Sequence, residues 1–458
     1  MRLDAGFVAD AVSGRIIQGD SGKIIRGVSI DSRTIQKGEL FFAIIGERFD
    51  GHDFIQDALK KGASAVILER ELKFDENIPV IKVEDTTKAL QDLAAAYRLL
   101  LKDLKVVAVT GSAGKTTTKD MTASLLQMKY NTKKTSGNLN NNYGLPLTLL
   151  DIEDEELAVL EMGMSKVGEI GLLAEIAKPE IGVVTNVGET HLASLGSVMN
   201  VARGKRELIE ALPEDGTAVL NYDNGLVRDM SKVFRGREII YYGLDPEADL
   251  YADNIKTTGD GVEYLVHYQG EGAVIYLNRP GIHNIYNSLA AIAVALKLGL
   301  NWSEIQKAFS KIEYSSLRWD VKHIDGIKII NDAYNANPMS MKAALDTVME
   351  MEKKRLILVL GGMLELGEIE RPAHIELGEY IQEKGVERLF TVGEPASLIA
   401  EGARRKGMKE KQINVCKNNS EAAHILKNIL KSGDIVLVKG SRALKMEEIV
   451  EELSGGLI

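Results

Sequence analysis

The sequence predicts an α/β protein of three domains: a small mixed α/β N-terminal domain over residues 1–83, a central domain on a mostly parallel sheet over 84–314, and a C-terminal α/β domain over 315–458. Three observations lead there. The chain has 458 residues, about three domains at the usual domain size. From Lys105 onward, short apolar runs alternate with helical segments, the pattern of a parallel sheet covered on both faces. In the segment VVAVTGSAGKTTTKDM (106–121) a strand runs through a glycine turn into a helix. That turn makes the central domain a P-loop mononucleotide-binding fold, and the later alternation makes the third domain Rossmann-like.

Taken in order, residues 1–83 carry short strands in KIIRGVSI, LFFAII, SAVIL and IPVIKV, with a helix near Phe54–Lys61. In DTTKALQDLAAAYRLLL, Leu90, Leu93, Tyr97 and Leu100 recur at helical spacing, which predicts an amphipathic helix capped by Asp85 or Thr86 and opening the second domain. KVVAVT, LAVLEM and IGVVTNV read as buried parallel strands. VEYLVHYQGEGAVIYL is a hairpin about a glycine-containing turn, and NIYNSLAAIAVALKLG is a helix ending on Gly299. The third unit begins near Ser315 with strands in IKII, RLILVL, RLFTV and DIVLVKG. Its helices start near Pro338, Pro372, Pro395 and Ser420, proline being suited to a first helical turn. There is no internal repeat and no low-complexity segment.

Composition narrows the class. Hydrophobic residues are 45% of the chain, enough for several cores, yet no long apolar run is free of charge, so no transmembrane helix is expected. The start, MRLDAGFVAD, lacks the apolar core of a signal peptide. A single cysteine, Cys416, excludes an internal disulfide. A net charge of −10 argues against a broad nucleic-acid surface while leaving room for a local basic pocket. A soluble cytoplasmic protein is the expectation.

The chemistry concentrates at strand ends. Gly111 and Gly114 let the backbone turn tightly enough for several N–H groups to face one anion, and the following helix adds the positive end of its dipole. Lys115 supplies a point charge for β/γ-phosphates, and the Thr116 hydroxyl suits Mg²⁺. The standard pattern has glycine where Val109 stands, so a glycine turn with a chance Lys-Thr is the plainer alternative. LAVLEM delivers Glu161 at the C-terminal end of its strand, where α/β sheets place ligand groups, although a solvated strand-end carboxylate would look the same. After IGVVTNV comes His191, and oxygen plus imidazole beside a triphosphate is a reasonable Mg²⁺ environment. Lys205, between Arg203 and Arg206, reads alone as part of a basic helix face.

Together these residues resemble the Mur ligase family, ATP-dependent enzymes of peptidoglycan stem-peptide synthesis. VTGSAGKTTTK, without the first glycine, is the family's own variant, and the His191-to-Lys205 spacing matches a family lysine that is carbamylated and bridges to a second Mg²⁺. SIDSRTIQKGELFFAIIGERFDGHDFIQDALKKGASAVI, TSGNLNNNYGLPLTLL, RPGIHNIYNSLAA, NDAYNANPMSMKAAL, GGMLELG and VKGSRALKMEEIV are similar to the branch that adds D-alanyl-D-alanine to UDP-N-acetylmuramoyl-tripeptide, the last cytoplasmic step. Ala113 departs from the family, where asparagine is common; the backbone cradle should survive the loss of that amide.

The resemblance implies a role for each matching residue. Thr110, Gly111, Ser112, Ala113, Gly114, Lys115, Thr116 and Thr117 cradle ATP; His283, Asn284 and Asn287 flank adenine, although His-Asn before an apolar run is also an N-cap signature. Arg318 reaches the γ-phosphate from the third domain, and Asp332 meets the ribose or orders the loop. Thr116, Glu161, His191 and an N6-carboxylated Lys205 hold two Mg²⁺. Asp31, Ser32 and Arg33 take the uridine diphosphate, Asn138, Asn140 and Asn141 read the muramoyl peptide, and Tyr334, Asn335 and Asn337 contact substrate, although Asn337-Pro338 is also a plain turn and helix start. Glu365, Lys439, Ser441 and Arg442 surround the incoming dipeptide. Lys115, Glu161, His191, Lys205 and Arg318 are the catalytic set. The expected chemistry is an acyl phosphate captured by the dipeptide amine, with the third domain closing over the central one in a monomer that engages neither nucleic acid nor membrane. The rivals are another Mur-type ligase such as a folylpolyglutamate synthase, an ATP switch, and a precursor-binding protein without catalysis.

Overall fold

The computed structural model describes residues 1–258, 260–312 and 314–455. It contains three large sheets in chain order. The first has five strands, Val28–Ser29, Leu40–Phe42, Ala65–Leu68, Val80–Lys82 and the antiparallel edge Arg15–Gln18. The second has nine. Its parallel part runs from Thr132–Lys134 through Leu157–Glu161, Lys105–Thr110, Ile181–Val184 and Thr217–Asn221 to Glu238–Gly243 and Leu250–Thr258. An antiparallel hairpin, Gly261–Tyr268 and Glu271–Leu277, finishes that edge. The third has six strands, all parallel save Asp320–Ile324.

The strand Lys105–Thr110 shows why this sequence forms a covered sheet. Val106 and Ala108 face a core shared with Leu90 and Leu93, whereas Val107 and Val109 face a second core with Met121, Leu125 and Leu289. Side chains alternate with a period of two, so an unbroken apolar run fills both faces. The Leu90 helix spans Thr86–Leu100 and is capped by Asp85, whose carboxylate accepts the Lys88 N–H at 2.9 Å. On the other face the P-loop helix, Lys115–Leu126, packs on the apolar helix Ile282–Lys297.

Differences from the sequence reading are local. The helix expected near Phe54–Lys61 is Ile55–Lys60, preceded by a tight turn at Gly51–Phe54. The regular strand in IGVVTNV ends at Val184; the Thr185 and Asn186 backbones still bond Thr110 and Ser112, and their side chains turn to Ala113 of the P-loop. The helix at Pro372 begins at Glu370. The hairpin turn places Gln269 (φ 51°) and Gly270 (φ 81°) in the left-handed region, as a two-residue turn matched to strand twist requires. Among the described residues no helix is long and apolar enough to cross a membrane.

Candidate active site

Three adjacent strands build the site. In the order Ile181–Val184, Lys105–Thr110, Leu157–Glu161, Val184 pairs with Thr110 and Glu161 with Val109, so all three loops leave the same rim. At that rim Gly111 (φ 153°) lies so close to its neighbour that a Cβ would sit 1.8 Å from Thr185 Oγ1, and at Gly114 (φ 81°) a Cβ would sit 2.3 Å from Asn287 Oδ1. Both positions need glycine's backbone freedom and its lack of a side chain. The turn is braced from the residues that follow the strand Ile181–Val184. Asn186 accepts the Ala113 N–H at 2.8 Å and donates to the Ala113 carbonyl at 3.1 Å, and Thr185 Oγ1 donates to the same carbonyl at 2.6 Å. Ser112 donates to Gly188 O at 3.2 Å and Thr110 to Met162 O at 2.9 Å. Lys115 curls back to donate to Gly111 O at 2.8 Å.

Thr116 is the meeting point. Its hydroxyl donates to Glu161 Oε2 at 2.8 Å and accepts from Arg318 Nη2 at 2.8 Å. The other Glu161 oxygen accepts from Asn140 Nδ2 at 2.8 Å, and the Glu161 N–H donates to Thr135 Oγ1 at 3.0 Å. Arg318 lies over the Tyr334 ring at 3.9 Å, and its Nε is buried without a partner among the described residues. His191 Nδ1 lies 2.5 Å from Glu365 Oε2 of the third domain, and the Ala193 N–H donates to Glu365 O at 3.0 Å. The third domain therefore already touches the central one at two points of the rim.

Electrostatics sharpen this cluster. Burial pushes the Lys115 ammonium below its ordinary range against the pull of Glu161, and pushes His191 down against the pull of Glu365. Lys205 is only 2% exposed. Its ammonium is held well below the usual lysine range by burial and by Lys115, with no hydrogen bond to a described residue offsetting this. A cleft of about 1100 Å³ collects residues 112–117, Glu161, His191, Lys205, Asn138, Asn140, Asn141, His283, Asn284, Asn287, Arg318, Asp332, Tyr334, Asn335, Asn337, Lys439 and Arg442. Among the described residues no three His, Cys, Asp or Glu side chains cluster as a ready-made metal site. The side chains here that could donate to a metal are Thr116, Glu161 and His191, with Lys205 beside them.

Other residues singled out from the sequence have local partners. Asn284 Nδ2 donates to Pro280 O at 2.8 Å, and Asn287 accepts from Thr118 Oγ1 at 3.3 Å. Burial lowers the His283 pKa to about 4, and its ring meets Trp319 edge-on at 6.4 Å. Lys439 is buried with its ammonium 2.5 Å from Asp332, and Arg442 pairs with Glu447 at 2.5 Å, so both cations carry protein carboxylates in this arrangement. Ser441 accepts the Leu364 N–H at 2.9 Å, pinning the loop that carries Glu365. Asn337 caps the helix Pro338–Glu350, and Asn141 accepts from Gly144 N at the start of Gly144–Leu150. Asn335 accepts the Ala336 N–H. Asp31, Ser32 and Arg33 lie outside the cleft lining, with Arg33 paired to Asp31 at 2.8 Å. The sequence reading passed over Asn186 as a P-loop brace, although it stands at the end of the strand leading to His191. It also passed over Arg279, which lines the cleft stacked on Tyr314 at 3.7 Å.

A P-loop sheet with an acidic neighbouring strand end, and a second α/β domain laying an arginine on the P-loop threonine, define a multidomain P-loop protein built to hold a nucleotide's phosphates. The chain belongs to the Mur ligase family: it matches the Mur ligase family catalytic domain over residues 24–98, the Mur ligase middle domain over 109–295 and the Mur ligase glutamate ligase domain over 317–442. It is 39% identical to the UDP-N-acetylmuramoyl-tripeptide--D-alanyl-D-alanine ligase of Bacillus subtilis, across 94% of this chain and 93% of that protein. Its fold superimposes on MurF from Acinetobacter baumannii with a TM-score of 0.90 at 29% identity, over 100% of this chain and 99% of the other. It also superimposes on MurF ligase from Thermotoga maritima in complex with ADP, with a TM-score of 0.83 at 30% identity, over 94% and 98%.

Proposed function

We propose that this chain joins D-alanyl-D-alanine to UDP-N-acetylmuramoyl-tripeptide, with ATP converted to ADP and phosphate, acting as a cytoplasmic monomer in the last soluble step of stem-peptide assembly. The carrying observation is the shared Thr116 hydroxyl, which ties Glu161 of the P-loop sheet and Arg318 of the third domain to one point of the cleft. The name of the B. subtilis relative supports the substrate pair, and the ADP complex of the T. maritima relative supports the nucleotide. In this reading residues 1–83 bind the UDP-sugar, 84–314 bind ATP, and 315–458 bring the dipeptide and close over the nucleotide.

The tripeptide's terminal carboxylate oxygen attacks the γ-phosphorus, the bond to the β–γ bridging oxygen breaks, and ADP departs. Lys115 and Arg318 hold the charge that spreads over the transferring oxygens. The dipeptide's amine nitrogen then attacks the acyl phosphate carbonyl carbon. The carbon–oxygen bond to phosphate breaks, and the amine proton leaves with solvent or phosphate. No side-chain nucleophile is needed; the protein positions the reactants and excludes water. Thr116, Glu161, His191 and an N6-carboxylated Lys205 would hold two Mg²⁺. Lys205 fits that role, since a buried amine disfavoured as a cation is free to add carbon dioxide and become an anionic oxygen ligand. When bound, Mg²⁺ supplies positive charge at the β- and γ-phosphate oxygens.

The test is mass spectrometry of product, with ADP release measured with and without D-alanyl-D-alanine, on muramoyl tripeptides ending in lysine or diaminopimelate. An amide product and dipeptide-dependent ADP release are expected. Equal ADP release without dipeptide, and no amide, would leave an ATP switch as the better reading.

A further inference from the structure

Asp120 lies one helical turn beyond Thr116 on the P-loop helix and is 1% exposed. Four groups converge on its carboxylate. Lys134 Nζ lies 2.9 Å and Lys119 Nζ 3.2 Å from Oδ1, while the Ser315 hydroxyl (2.6 Å) and N–H (3.0 Å) both donate to Oδ2. Lys119 is itself buried and donates to Thr135 O at 2.8 Å, and Thr135 Oγ1 receives the Glu161 N–H. Asp120 therefore sits between the strand that delivers Glu161 and the interdomain linker that delivers Arg318. Its own side chain is not part of the cleft lining.

The linker gives this contact its meaning. Leu317 (φ 61°) and Trp319 (φ 56°), the neighbours of Arg318 on both sides, are held in the left-handed region that side chains other than glycine's rarely adopt. Such a backbone persists only where its surroundings over-determine it. Upstream the surroundings are Asp120 on Ser315 and Arg279 stacked on Tyr314; downstream the Trp319 N–H donates to Asp332 at 3.3 Å. Residues i and i+4 of a helix share a face, so Thr116 and Asp120 present two successive attachment points to a linker that reaches them with Arg318 and Ser315.

We propose that Asp120 is a positioning residue: by anchoring Ser315 to the P-loop helix it holds the strained linker in the one path that lays Arg318 on Thr116, and so at the transferring phosphate. The inference rests on the reading of Arg318 as a γ-phosphate ligand.

The experiment is a double-mutant cycle on the full chain with ATP, UDP-N-acetylmuramoyl-tripeptide and D-alanyl-D-alanine, using Asp120→Asn, Ser315→Ala, Arg318→Ala and each of the first two combined with Arg318→Ala. A misdirected catalytic group costs about tenfold or more in kcat, so that loss is expected for Asp120→Asn, with a smaller one for Ser315→Ala. The ATP KM should move less than about threefold in both, since little ground-state binding is removed. Each double variant should match Arg318→Ala alone within about twofold, because residues acting through one group are not additive. Ser315→Ala leaves the lysine pairs of Asp120 in place and keeps the cycle readable if Asp120→Asn folds poorly. Losses that multiply with that of Arg318→Ala, or full kcat in Ser315→Ala, overturn the proposal. Full turnover in Arg318→Ala alone overturns the γ-phosphate reading, and the positioning role with it.

Discussion

Glu161→Gln separates what the carboxylate does for the fold from what it does for the reaction. In the wild type one oxygen accepts from Thr116 and the other from Asn140, both at 2.8 Å, in a side chain that is 2% exposed. Glutamine keeps the shape and one acceptor but turns an NH₂ toward the other donor. If that NH₂ faces Asn140, the asparagine amide flips to offer its oxygen, and nothing is left unpaired. If it faces Thr116, the hydroxyl accepts it alongside Arg318 and loses a place to donate. The structural cost is therefore one hydrogen bond at most, about 1 kcal/mol. The chemical cost is larger. In the proposed site a negative oxygen ligand disappears beside a triphosphate, and removing one preorganised charge-stabilising partner lowers kcat by about 10²–10³. Coupled ADP release and denaturant unfolding, run on the same preparation, should show near-native stability and a kcat reduced at least a hundredfold. A variant retaining more than a tenth of wild-type turnover would refute the role of Glu161, as would a loss of activity that merely tracks a loss of folded protein.

Gly111→Ala should destabilise the P-loop by about 2–4 kcal/mol, the cost of a disfavoured backbone plus the displaced Thr185 hydroxyl bond; it is read as a raised ATP KM, with an unchanged value refuting the cradle geometry. Lys205→Ala should lose more than about tenfold in turnover, as losses of metal-site partners do, and full activity would refute the carbamate assignment. His283 has its pKa lowered to about 4, mainly by burial, so its imidazole proton signals should titrate near pH 4. The unfolded chain titrates near 6.5, so this group's contribution to stability is complete above that value and is lost as pH falls from 6.5 toward 4. A midpoint near 6.5 in the folded protein would show the ring to be exposed.

Local signals made the P-loop and the buried strands around it legible. A β-branched run, a glycine turn and a Lys-Thr pair are contiguous, and each demands a particular backbone. The apolar runs ending in Glu161 and near His191 required one further step, that parallel strands flanking the P-loop strand release their ends on one rim, and the register provides it. Shorter elements stayed hidden. Arg15–Gln18 is an edge strand of four residues with polar ends, and Asp320–Ile324 has its two apolar residues, Val321 and Ile324, on opposite faces, so neither separates from loop by pattern alone.

Partner choice among charged residues was the harder problem, and Glu365 shows why. From sequence it is a carboxylate after a strand, expected near an incoming dipeptide. In the structure its backbone sits at φ 64°, its carbonyl takes the Ala193 N–H, and its carboxylate meets His191 across the domain boundary. Three contacts bring it there. Ser441 holds Leu364, the His374 ring accepts the Met363 N–H at 2.9 Å, and Gly367 packs so tightly on Ala193 that a Cβ would lie 3.0 Å from its Cα. Each contact joins residues from separate elements, and those to Ala193 cross between domains. The same holds for Asp120 with Ser315. A carboxylate's partner is set by whichever cation or donor the packed domains bring within about 3 Å, and that depends on the angle between domains, to which no local pattern is sensitive. The residues that carry the P-loop chemistry could therefore be read one segment at a time. Those that bring the third domain onto it become visible only as pairs.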